Sequence, residues 1–261
     1  MPGHTHAVDP AAYASEISET VRGGPKPSQE LCSDLVVANH ILFREGVLDA
    51  FGHVSARHDA RSDRFLLAKN MAPGLVTADD LIEFNFDGAA VNANGRAVYL
   101  ERFIHGEIYR ARPDVHAIVH SHSASVVPFG IVRGVPFRAV CHMSGFIGVC
   151  APIFEIREAA GDASDLLIRN SALGAALARA LGDQTLVLMR GHGSTVVGNS
   201  LKQAVFRAVY TETNARLQAE AMRLGPITYL TEGEAATTAE VIDKQSERAW
   251  ALWRMRAEGK L

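Results

Sequence analysis

Two apolar segments constrain the fold of this chain most strongly: VHAIVHSH at 115–122 and TLVLMR at 185–190. Each has the length of a typical strand and is far too short to cross a membrane as a helix. Continuous apolar runs of this length predict strands, and the second run predicts a strand buried inside the protein. The chain is therefore expected to fold around a β-sheet.

Further strand segments are grouped mainly in the first half of the chain. HVSARH (53–58), RFLLA (64–68) and LIEFNF (81–86) have strand composition, and a turn at Asp87-Gly88 follows the last of them. PFRAV (136–140) and APIFEI (151–156) are also expected to be strands. The glycine-rich segment GHGSTVVG (191–198) is expected to be a loop.

Helices are predicted from apolar residues at helical spacing, capping residues and glycine stops. They extend from a cap at Ser28 to Gly46, over 99–112, from a cap at Asp162 or Ser164 to Gly182, from a cap at Ser200 to Leu224, and over 236–258. Helices interspersed among the strands predict an α/β fold. Its expected form is an α/β/α sandwich, in which helices cover both faces of a central, mostly antiparallel sheet.

Composition limits the organisation of the chain to a folded domain. With 261 residues, 48% of them hydrophobic, the chain can bury a core that offsets its ordering entropy, which excludes an intrinsically disordered protein. Residues 1–27 are polar and end in Gly and Pro, so we expect an N-terminal arm there. Residues 28–261 are expected to form a single globular domain, and no internal repeat is visible.

Charge and cysteine content exclude several classes of partner and site. A net charge of -3, without a basic block, excludes a phosphate-tracking nucleic-acid surface. The N-terminus lacks the pattern of a signal peptide and no long apolar run is present, so a cytoplasmic protein with no membrane partner is expected. Cys32, Cys141 and Cys150 form no CxxC pair and are expected to be reduced and packed.

Three of the 11 histidines have the spacing of a metal site. His120 and His122 are two residues apart on a predicted strand, so their side chains point to the same side. His192 follows a buried strand and lies between two glycines, where no bulky neighbour blocks a ligand. Three imidazoles would leave open coordination positions on a divalent metal, as in a catalytic site, and they suit zinc, manganese, iron or cobalt. The alternative is that these are ordinary surface or turn histidines.

A carboxylate and a further histidine lie on the helix that precedes the HxH strand. Glu101 is in the first turn of this predicted helix and His105 is four residues later, so both face the same side and could reach the metal cavity together. The alternative is that Glu101 only interacts favourably with the positive end of the helix dipole, and that His105 pairs with Glu101 at the surface. Local sequence leaves both open.

These residues carry a family resemblance. ERFIHGEIYRARPDVHAIVHSH (101–122) and LVLMRGHGSTVVGNSLKQAVFRAVYTETNARLQAEA (186–221) resemble the class II aldolase/adducin family. GHVSAR is similar to the Gly-Asn-x-Ser segment of that family, and LVTADDLIEFNFDG to its threonine-aspartate turn, strand and hairpin. Matching segments span about residues 28 to 225, most of the chain.

The resemblance implies specific roles for four residues. His120, His122 and His192 match the ligands of one divalent metal ion per subunit, and Glu101 matches the acid/base glutamate of the family. It also implies an α/β/α sandwich and a homotetramer with active sites at the subunit boundaries.

The chain departs from the sugar-phosphate aldolases of this family where phosphate is bound. Tyr99-Leu100 stands where paired serines precede the glutamate, and His53 stands where asparagine is expected. The segment NMAPG (70–74) is not a Ser/Thr-Gly anion loop. A phosphate needs several converging N–H and O–H donors, so a phosphorylated substrate is disfavoured.

The replacement residues favour a planar aromatic acid. His53, His105 and His142 are candidate proton carriers beside Glu101, and sequence does not choose among the four. Substrate contacts are expected from Tyr99 and from three basic residues that could pair with a carboxylate: Arg57, Lys69 and Arg190.

The resemblance is closest to the branch that decarboxylates hydroxylated aromatic or heteroaromatic acids. We therefore expect a metal-dependent carboxy-lyase, in which a metal stabilises the charge that develops on substrate oxygen and a protein group returns a proton to the ring.

Three alternatives use the same scaffold. A metal-dependent aldolase or dehydratase acting on a small hydroxy-carbonyl compound would use the same ligands and Glu101. A nonheme iron oxygenase would consume oxygen. A noncatalytic adducin-like module is disfavoured, because it has no need of the three histidines together with the glutamate.

Overall fold

The structure, a computed structural model, describes residues 24–261. Its centre is a seven-stranded sheet with the spatial order β3-β2-β1-β4-β7-β6-β5. All neighbouring strands are antiparallel except β5 and β6, which are parallel. The strands are β1 (His53–Arg57), β2 (Arg64–Ala68), β3 (Leu81–Asn85), β4 (Ala117–Ser121), β5 (Ile153–Phe154), β6 (Leu186–Met189) and β7 (Gly193–Gly198).

The central strands are covered on both faces, which explains why their sequences lack polar and apolar alternation. Every residue of β2, β4, β6 and β7 is buried. Strands that are buried on both faces have continuous apolar sequences. The predicted mostly antiparallel sheet within an α/β/α sandwich is confirmed.

Eight α-helices accompany the sheet in the described part of the chain. They are α1 (Gln29–Arg44), α2 (Arg102–Ala111), α3 (Val127–Ile131), α4 (Arg157–Ala160), α5 (Ser171–Leu181), α6 (Leu201–Leu224), α7 (Glu232–Asp243) and α8 (Ser246–Ala257). Helices α1, α6 and α8 pack on one another, and α2 packs on α5. Short 3-10 turns lie at Pro73–Leu75, Ala78–Asp80 and His142–Ile147.

Side-chain caps start two helices at the residues predicted for them. Ser28 accepts a hydrogen bond from the N–H of Leu31 at the start of α1, and Ser200 accepts one from Gln203 at the start of α6. Both satisfy a backbone donor that has no partner within the helix. The expected turn after β3 is also present, since Gly88 has a φ of 77° and the N–H of Asn85 donates to Ala89.

The prediction of a strand over 136–140 is wrong. Two side chains of α6 bind alternate backbone groups of this segment. Asn214 accepts from the N–H of Val140 and donates to the carbonyl of Arg138. Gln218 accepts from the N–H of Arg138 and donates to the carbonyl of Pro136. The groups between them bond to the backbone of Gly148, Ala151 and Leu230, none of which lies in a strand.

The prediction of a loop over 191–198 is also wrong beyond its first two residues, because 193–198 form the buried strand β7. The glycine content that suggested a loop has another cause. A side chain at Gly193 would collide with the backbone oxygen of Ser121 on β4. Glycine thus permits close pairing of two central strands, a known use of glycine inside a strand.

Three helix boundaries differ from the prediction. Helix α5 is capped by Asn170, which accepts from the N–H of Leu173, and not by Asp162 or Ser164. The predicted helix over 236–258 is two helices, interrupted at Lys244 and Gln245. Helix α2 begins at Arg102, so Glu101 precedes the helix and does not lie in its first turn.

Other predictions on the chain have mixed outcomes. The three cysteines are free, but Cys150 is exposed, so the expectation that all three are packed is wrong for it. Most of the predicted arm, residues 1–23, lies outside the described residues. Within residues 24–261, no helix combines the length and the apolarity that a membrane span requires.

Candidate metal centre

Strand register places the first histidines of the site. His53 on β1 lies opposite His120 on β4, and His120 lies opposite Thr195 on β7. Directly opposed residues point to the same face of a sheet, and so do residues two apart on one strand. His122 follows β4 on the same side as His120. The sheet thus gathers these imidazoles at one place although they are distant in sequence.

His192 is brought to the same place by the turn between β6 and β7. The turn consists of residues 190–192, and its Gly191 has a φ of 67°, a conformation that glycine adopts without steric cost. The N–H of His192 donates to the carbonyl of Met189 at 3.0 Å, which closes the turn. Each glycine beside His192 therefore has its own backbone function: one forms the turn and the other pairs the strands.

Glu101 completes the cluster from the residue that precedes α2. One carboxylate oxygen, Oε1, accepts a hydrogen bond from the N–H of Ile168 at 3.0 Å. The other, Oε2, lies 3.6 Å from Nε2 of His120 and 3.5 Å from Nε2 of His192. The backbone of the loop before α5 thus orients the carboxylate toward the histidines.

The four side chains form a donor set that fits a metal ion. Nε2 of His122 lies 3.0 Å from Nε2 of both His120 and His192, and the four potential ligand atoms lie within 4.8 Å of one another. Two imidazole nitrogens that bind one zinc ion at about 2.0–2.1 Å lie roughly 3 Å apart. Neutral lone pairs that converge so closely repel each other, and a cation between them removes this repulsion.

A hydrogen bond at the other ring nitrogen fixes His120 in the tautomer that metal binding requires. Nδ1 of His120 lies 3.1 Å from the carbonyl oxygen of Ser194 and must donate its hydrogen there, because a carbonyl only accepts. Nε2 of His120 therefore keeps its lone pair for a metal. This arrangement is typical of histidine ligands, whose other nitrogen binds a carbonyl or carboxylate.

Burial keeps His120 and His122 neutral. It lowers the pKa of His120, and it lowers the pKa of His122 to about 4 together with the neighbouring His120 and His192. Burial alone would raise the pKa of Glu101, but its contacts with the ring nitrogens of His120 and His192 outweigh burial, so this pKa is lowered. A metal cation would act on Glu101 in the same direction. We take His120 and His122 as neutral imidazoles and Glu101 as a carboxylate.

His53 and His105 lie beside the cluster and belong to a separate hydrogen-bonded chain. Nδ1 of His53 lies 2.7 Å from Nε2 of His105, and Nδ1 of His105 lies 2.6 Å from Oγ of Ser55. Oγ of Ser55 also lies 2.8 Å from the hydroxyl of Tyr109. His105 therefore contacts His53 and Ser55, and its predicted approach to the metal cavity together with Glu101 is wrong.

Sequence reasoning missed Ser55 and Tyr109. A signal was available for each, since Ser55 lies two residues after His53 on one strand and Tyr109 lies four residues after His105 on one helix. Both spacings put the pair on a common face. The two faces meet only when α2 packs on the sheet, and the sequence does not state which face of which helix does so.

Tyr99 lies at the edge of the cluster. Its ring centroid is 4.6 Å from that of His53, and its hydroxyl donates to the carbonyl of Met71. The hydroxyl also accepts from the N–H of Met71 at 3.4 Å. Its predicted contact with substrate is therefore available through the ring more than through the hydroxyl.

The four remaining predicted residues lie outside the donor cluster. Arg57 donates to the backbone carbonyls of Ser62, Tyr109, Arg112 and Val115, so its guanidinium holds the ends of α2 and β4. Lys69 pairs with Asp80 at 2.7 Å, and Arg190 pairs with Glu155 at 2.6 Å. His142 is exposed at the start of a 3-10 turn. These positions do not support the predicted substrate-carboxylate role of Arg57 or Lys69.

Comparison with known proteins matches both the chain and its fold. Residues 33–219 match the family model described as Class II Aldolase and Adducin N-terminal domain. The decarboxylase tropJ of Talaromyces stipitatus is 43% identical over 82% of this chain and 89% of its own length. A 3,4-dihydroxyphthalate decarboxylase of Arthrobacter keyseri is 30% identical over 73% of this chain and 78% of its own length.

Solved structures share the fold at lower sequence identity. An aldolase II superfamily protein from Pseudomonas syringae aligns with a TM-score of 0.75 and 19% identity, over 92% of this chain and 96% of that one. The L-fuculose 1-phosphate aldolase from Glaciozyma antarctica aligns with a TM-score of 0.72 and 23% identity, over 92% and 97% of the two chains. These likenesses establish the fold.

Replacing His192 with alanine is expected to remove the metal while the fold survives. Loss of an outer partner of a ligand already weakens metal binding about 10- to 100-fold, so loss of a ligand should cost at least as much. Zinc stoichiometry by elemental analysis and zinc affinity by competition with a chelating dye measure the effect. His116→Ala, which removes an exposed histidine outside the cluster, is the matched control. Full metal content in His192→Ala would exclude His192 as a ligand.

Proposed function

Because this chain belongs to the class II aldolase and adducin family, we propose that it is a metal-dependent lyase that removes carbon dioxide from a hydroxylated aromatic or heteroaromatic carboxylic acid. One observation carries the proposal. The donor set of Glu101 and three histidines lies beside the rings of His53 and Tyr99, at sequence positions where the resemblance to sugar-phosphate aldolases implies phosphate-binding residues. The decarboxylase relatives support the same reaction class.

The rings of His53 and Tyr99 favour a flat substrate over a phosphorylated one. Tyr99 and His53 contact each other through their rings, and the Tyr99 hydroxyl is already bound to the backbone of Met71. Leu100 adds no hydrogen-bond donor from its side chain. A phosphate would therefore find few free donors, whereas a planar ring could pack against these surfaces.

The residues that would hold a divalent cation are His120, His122 and His192, and Glu101 lies beside them. When bound, zinc, manganese, iron or cobalt would polarise the oxygen atoms of the substrate and stabilise charge that develops as carbon dioxide leaves. Three neutral imidazole ligands would leave the cation most of its charge for this purpose.

We assign to Glu101 the transfer of the proton that replaces the lost carboxyl group. Its Oε1 is anchored by the N–H of Ile168, which leaves Oε2 as the oxygen that faces the histidines. A carboxylate held this way can accept a proton from a substrate hydroxyl and return it to the ring carbon within hydrogen-bond reach. The neighbouring His53 can donate a hydrogen bond to the substrate.

Hydroxylated aromatic acids are expected to release carbon dioxide in a reaction that a chelator stops. The measurement is carbon dioxide evolution from 2,3-dihydroxybenzoate, 3,4-dihydroxyphthalate and a hydroxypyridine carboxylate by zinc- or manganese-loaded protein, with and without EDTA. L-Fuculose 1-phosphate is the control substrate and should be cleaved poorly. Each charge-assisted hydrogen bond that a phosphate forfeits is worth roughly 1.5–3 kcal/mol, so losing two weakens recognition by about two to four orders of magnitude.

Efficient cleavage of the sugar phosphate, with no carbon dioxide from any of the acids, would replace this proposal by an aldolase. Cleavage or dehydration of small unphosphorylated hydroxy-carbonyl compounds alone would replace it by the corresponding aldolase or dehydratase. Oxygen consumption by the ferrous protein in the presence of the acids would indicate an oxygenase.

The variant Glu101→Gln is expected to lower turnover on the order of a hundredfold or more, because it keeps the shape of the side chain and removes the titratable carboxylate. The three histidines should retain the metal, which elemental analysis checks. Glu107→Gln is the matched control, since Glu107 is a buried carboxylate on α2 that pairs with Arg110 outside the cluster. Near-normal turnover of Glu101→Gln would return Glu101 to a structural role before α2.

We also propose a homotetramer whose active sites lie at subunit boundaries. The proposal rests on the resemblance to the family; His142 is exposed, so a neighbouring chain could approach it. Light scattering during size-exclusion chromatography should give four times the 28.1 kDa of one chain. A monomeric mass with full activity would contradict both the assembly and a role for His142 in a shared site.

A further inference from the structure

The hydrogen-bonded chain from Tyr109 through Ser55 and His105 to His53 is closed at one end. Tyr109 is 1% exposed, and Ser55 and His105 are fully buried. The Tyr109 hydroxyl makes no hydrogen bond in residues 24–261 other than that with Oγ of Ser55. Phe65, Phe86 and the guanidinium of Arg57 surround its ring, and none of them accepts a hydrogen bond. Among residues 24–261, the Tyr109 hydroxyl therefore has no hydrogen-bonding partner other than Ser55.

The other end of the chain is open. Nδ1 of His53 is used by His105, which leaves Nε2 as the free nitrogen of that ring. Within the described residues Nε2 makes no hydrogen bond, yet it is not among the fully buried polar atoms that lack a partner. His53 lies opposite His120 on the neighbouring strand, with ring centroids 5.0 Å apart. The open end therefore lies beside the donor cluster.

Counting the hydrogens then fixes the direction in which hydrogen bonds are donated from Tyr109 to His53. Tyr109 and Ser55 each have one hydroxyl hydrogen, and each neutral imidazole has one N–H. If Tyr109 donates to Ser55, Ser55 donates to Nδ1 of His105 and Nε2–H of His105 donates to Nδ1 of His53. Every hydrogen is then used, and that of His53 is on Nε2.

The opposite direction leaves a buried hydrogen without an acceptor. Nδ1–H of His53 would donate to His105, His105 to Ser55 and Ser55 to Tyr109, whose own buried hydrogen would have no acceptor among residues 24–261. An unsatisfied buried donor of this kind biases the population on the order of 5- to 150-fold, equivalent to about 1–3 kcal/mol. Both imidazoles are counted as neutral, because His105 is fully buried, His53 is 3% exposed, and no carboxylate of the described residues is hydrogen-bonded to either ring.

We infer that Ser55, with Tyr109 behind it, is a positioning residue that holds His53 in the Nε2–H tautomer, so that His53 presents a fixed hydrogen-bond donor to the substrate beside the metal centre. In this tautomer Nε2 has no lone pair, so His53 is not a further metal ligand. The fixed donor matches an anionic oxygen, such as a carboxylate or ring-oxygen of the substrate, and this part rests on the proposed function. The tautomer itself does not.

Nuclear magnetic resonance of the zinc-loaded protein tests the tautomer without reference to activity. Long-range proton–nitrogen spectra of the histidine rings separate protonated from unprotonated ring nitrogens, and the signals of His53 are identified by their loss in His53→Gln. We expect a protonated Nε2 and an unprotonated Nδ1 for His53. An Nδ1–H signal from His53 in the wild-type protein would overturn the inference.

Two variants test which hydroxyl fixes the direction. Ser55→Ala removes the hydrogen that is donated to His105, so the share of His53 in the Nδ1–H form should rise at least fivefold. Tyr109→Phe should leave the Nε2–H form dominant, because Ser55 keeps its hydroxyl hydrogen and His105 remains its only acceptor. Ser121→Ala is the matched control, since Ser121 is a buried serine of β4 that contacts Ser194 and not the histidine chain. An unchanged tautomer in folded, zinc-loaded Ser55→Ala would contradict the role of Ser55.

Addition of 2,3-dihydroxybenzoate to the zinc-loaded protein tests the contact with substrate. Binding should shift the Nε2 signal of His53 more than its Nδ1 signal. Binding that leaves both signals unmoved would overturn the donor role. Absence of binding, together with absence of carbon dioxide release, would contradict the proposed substrate class, while the tautomer in the free protein would still decide the positioning role of Ser55.

Discussion

Close pairing of β4 with β7 is the constraint on which the rest of the site depends. At Gly193 the backbone of β7 approaches Ser121 so closely that a side chain would collide with its carbonyl oxygen. This pairing sets Thr195 opposite His120, gives Nδ1 of His120 its acceptor at Ser194 and starts β7 directly after His192. A displaced β7 would lose the tautomer of one ligand and the position of another.

Burial governs the chemistry of the centre. A buried imidazole is neutral because a low-dielectric surrounding disfavours its charged form, and a buried carboxylate is costly unless charge or hydrogen bonds compensate it. Glu101 obtains this compensation from Ile168 and the histidines. Burial also sets the direction of the hydrogen bonds behind His53, since the described residues offer the Tyr109 hydroxyl no partner other than Ser55. One physical cause thus prepares a cation site and orients its neighbour.

The wrong predictions over 136–140 and 193–198 have a common cause, because the sequence does not show which groups bind the backbone of these segments. The segment over 136–140 has the composition of a strand, but Asn214 and Gln218 bind its backbone from a helix. The segment over 193–198 has the glycines of a loop, but these glycines allow β7 to pair closely. The composition of a segment indicates which backbone conformations it can adopt. It does not indicate which groups bind its backbone, and here some of those groups belong to residues about 70 to 80 positions away.

The sequence by itself determined the class of fold, the strand that carries His120 and His122, and the set of residue types that suits a divalent metal. These follow from the periods of two residues in strands and 3.6 residues in helices, which are visible in the sequence itself. Tertiary structure decided that Glu101 faces His120 and His192, that Arg57 and Lys69 bind within the protein, and that Ser55 and Tyr109 stand behind His53. These contacts depend on strand register and on the packing of α2, because only a folded chain places side chains from distant segments within hydrogen-bond distance.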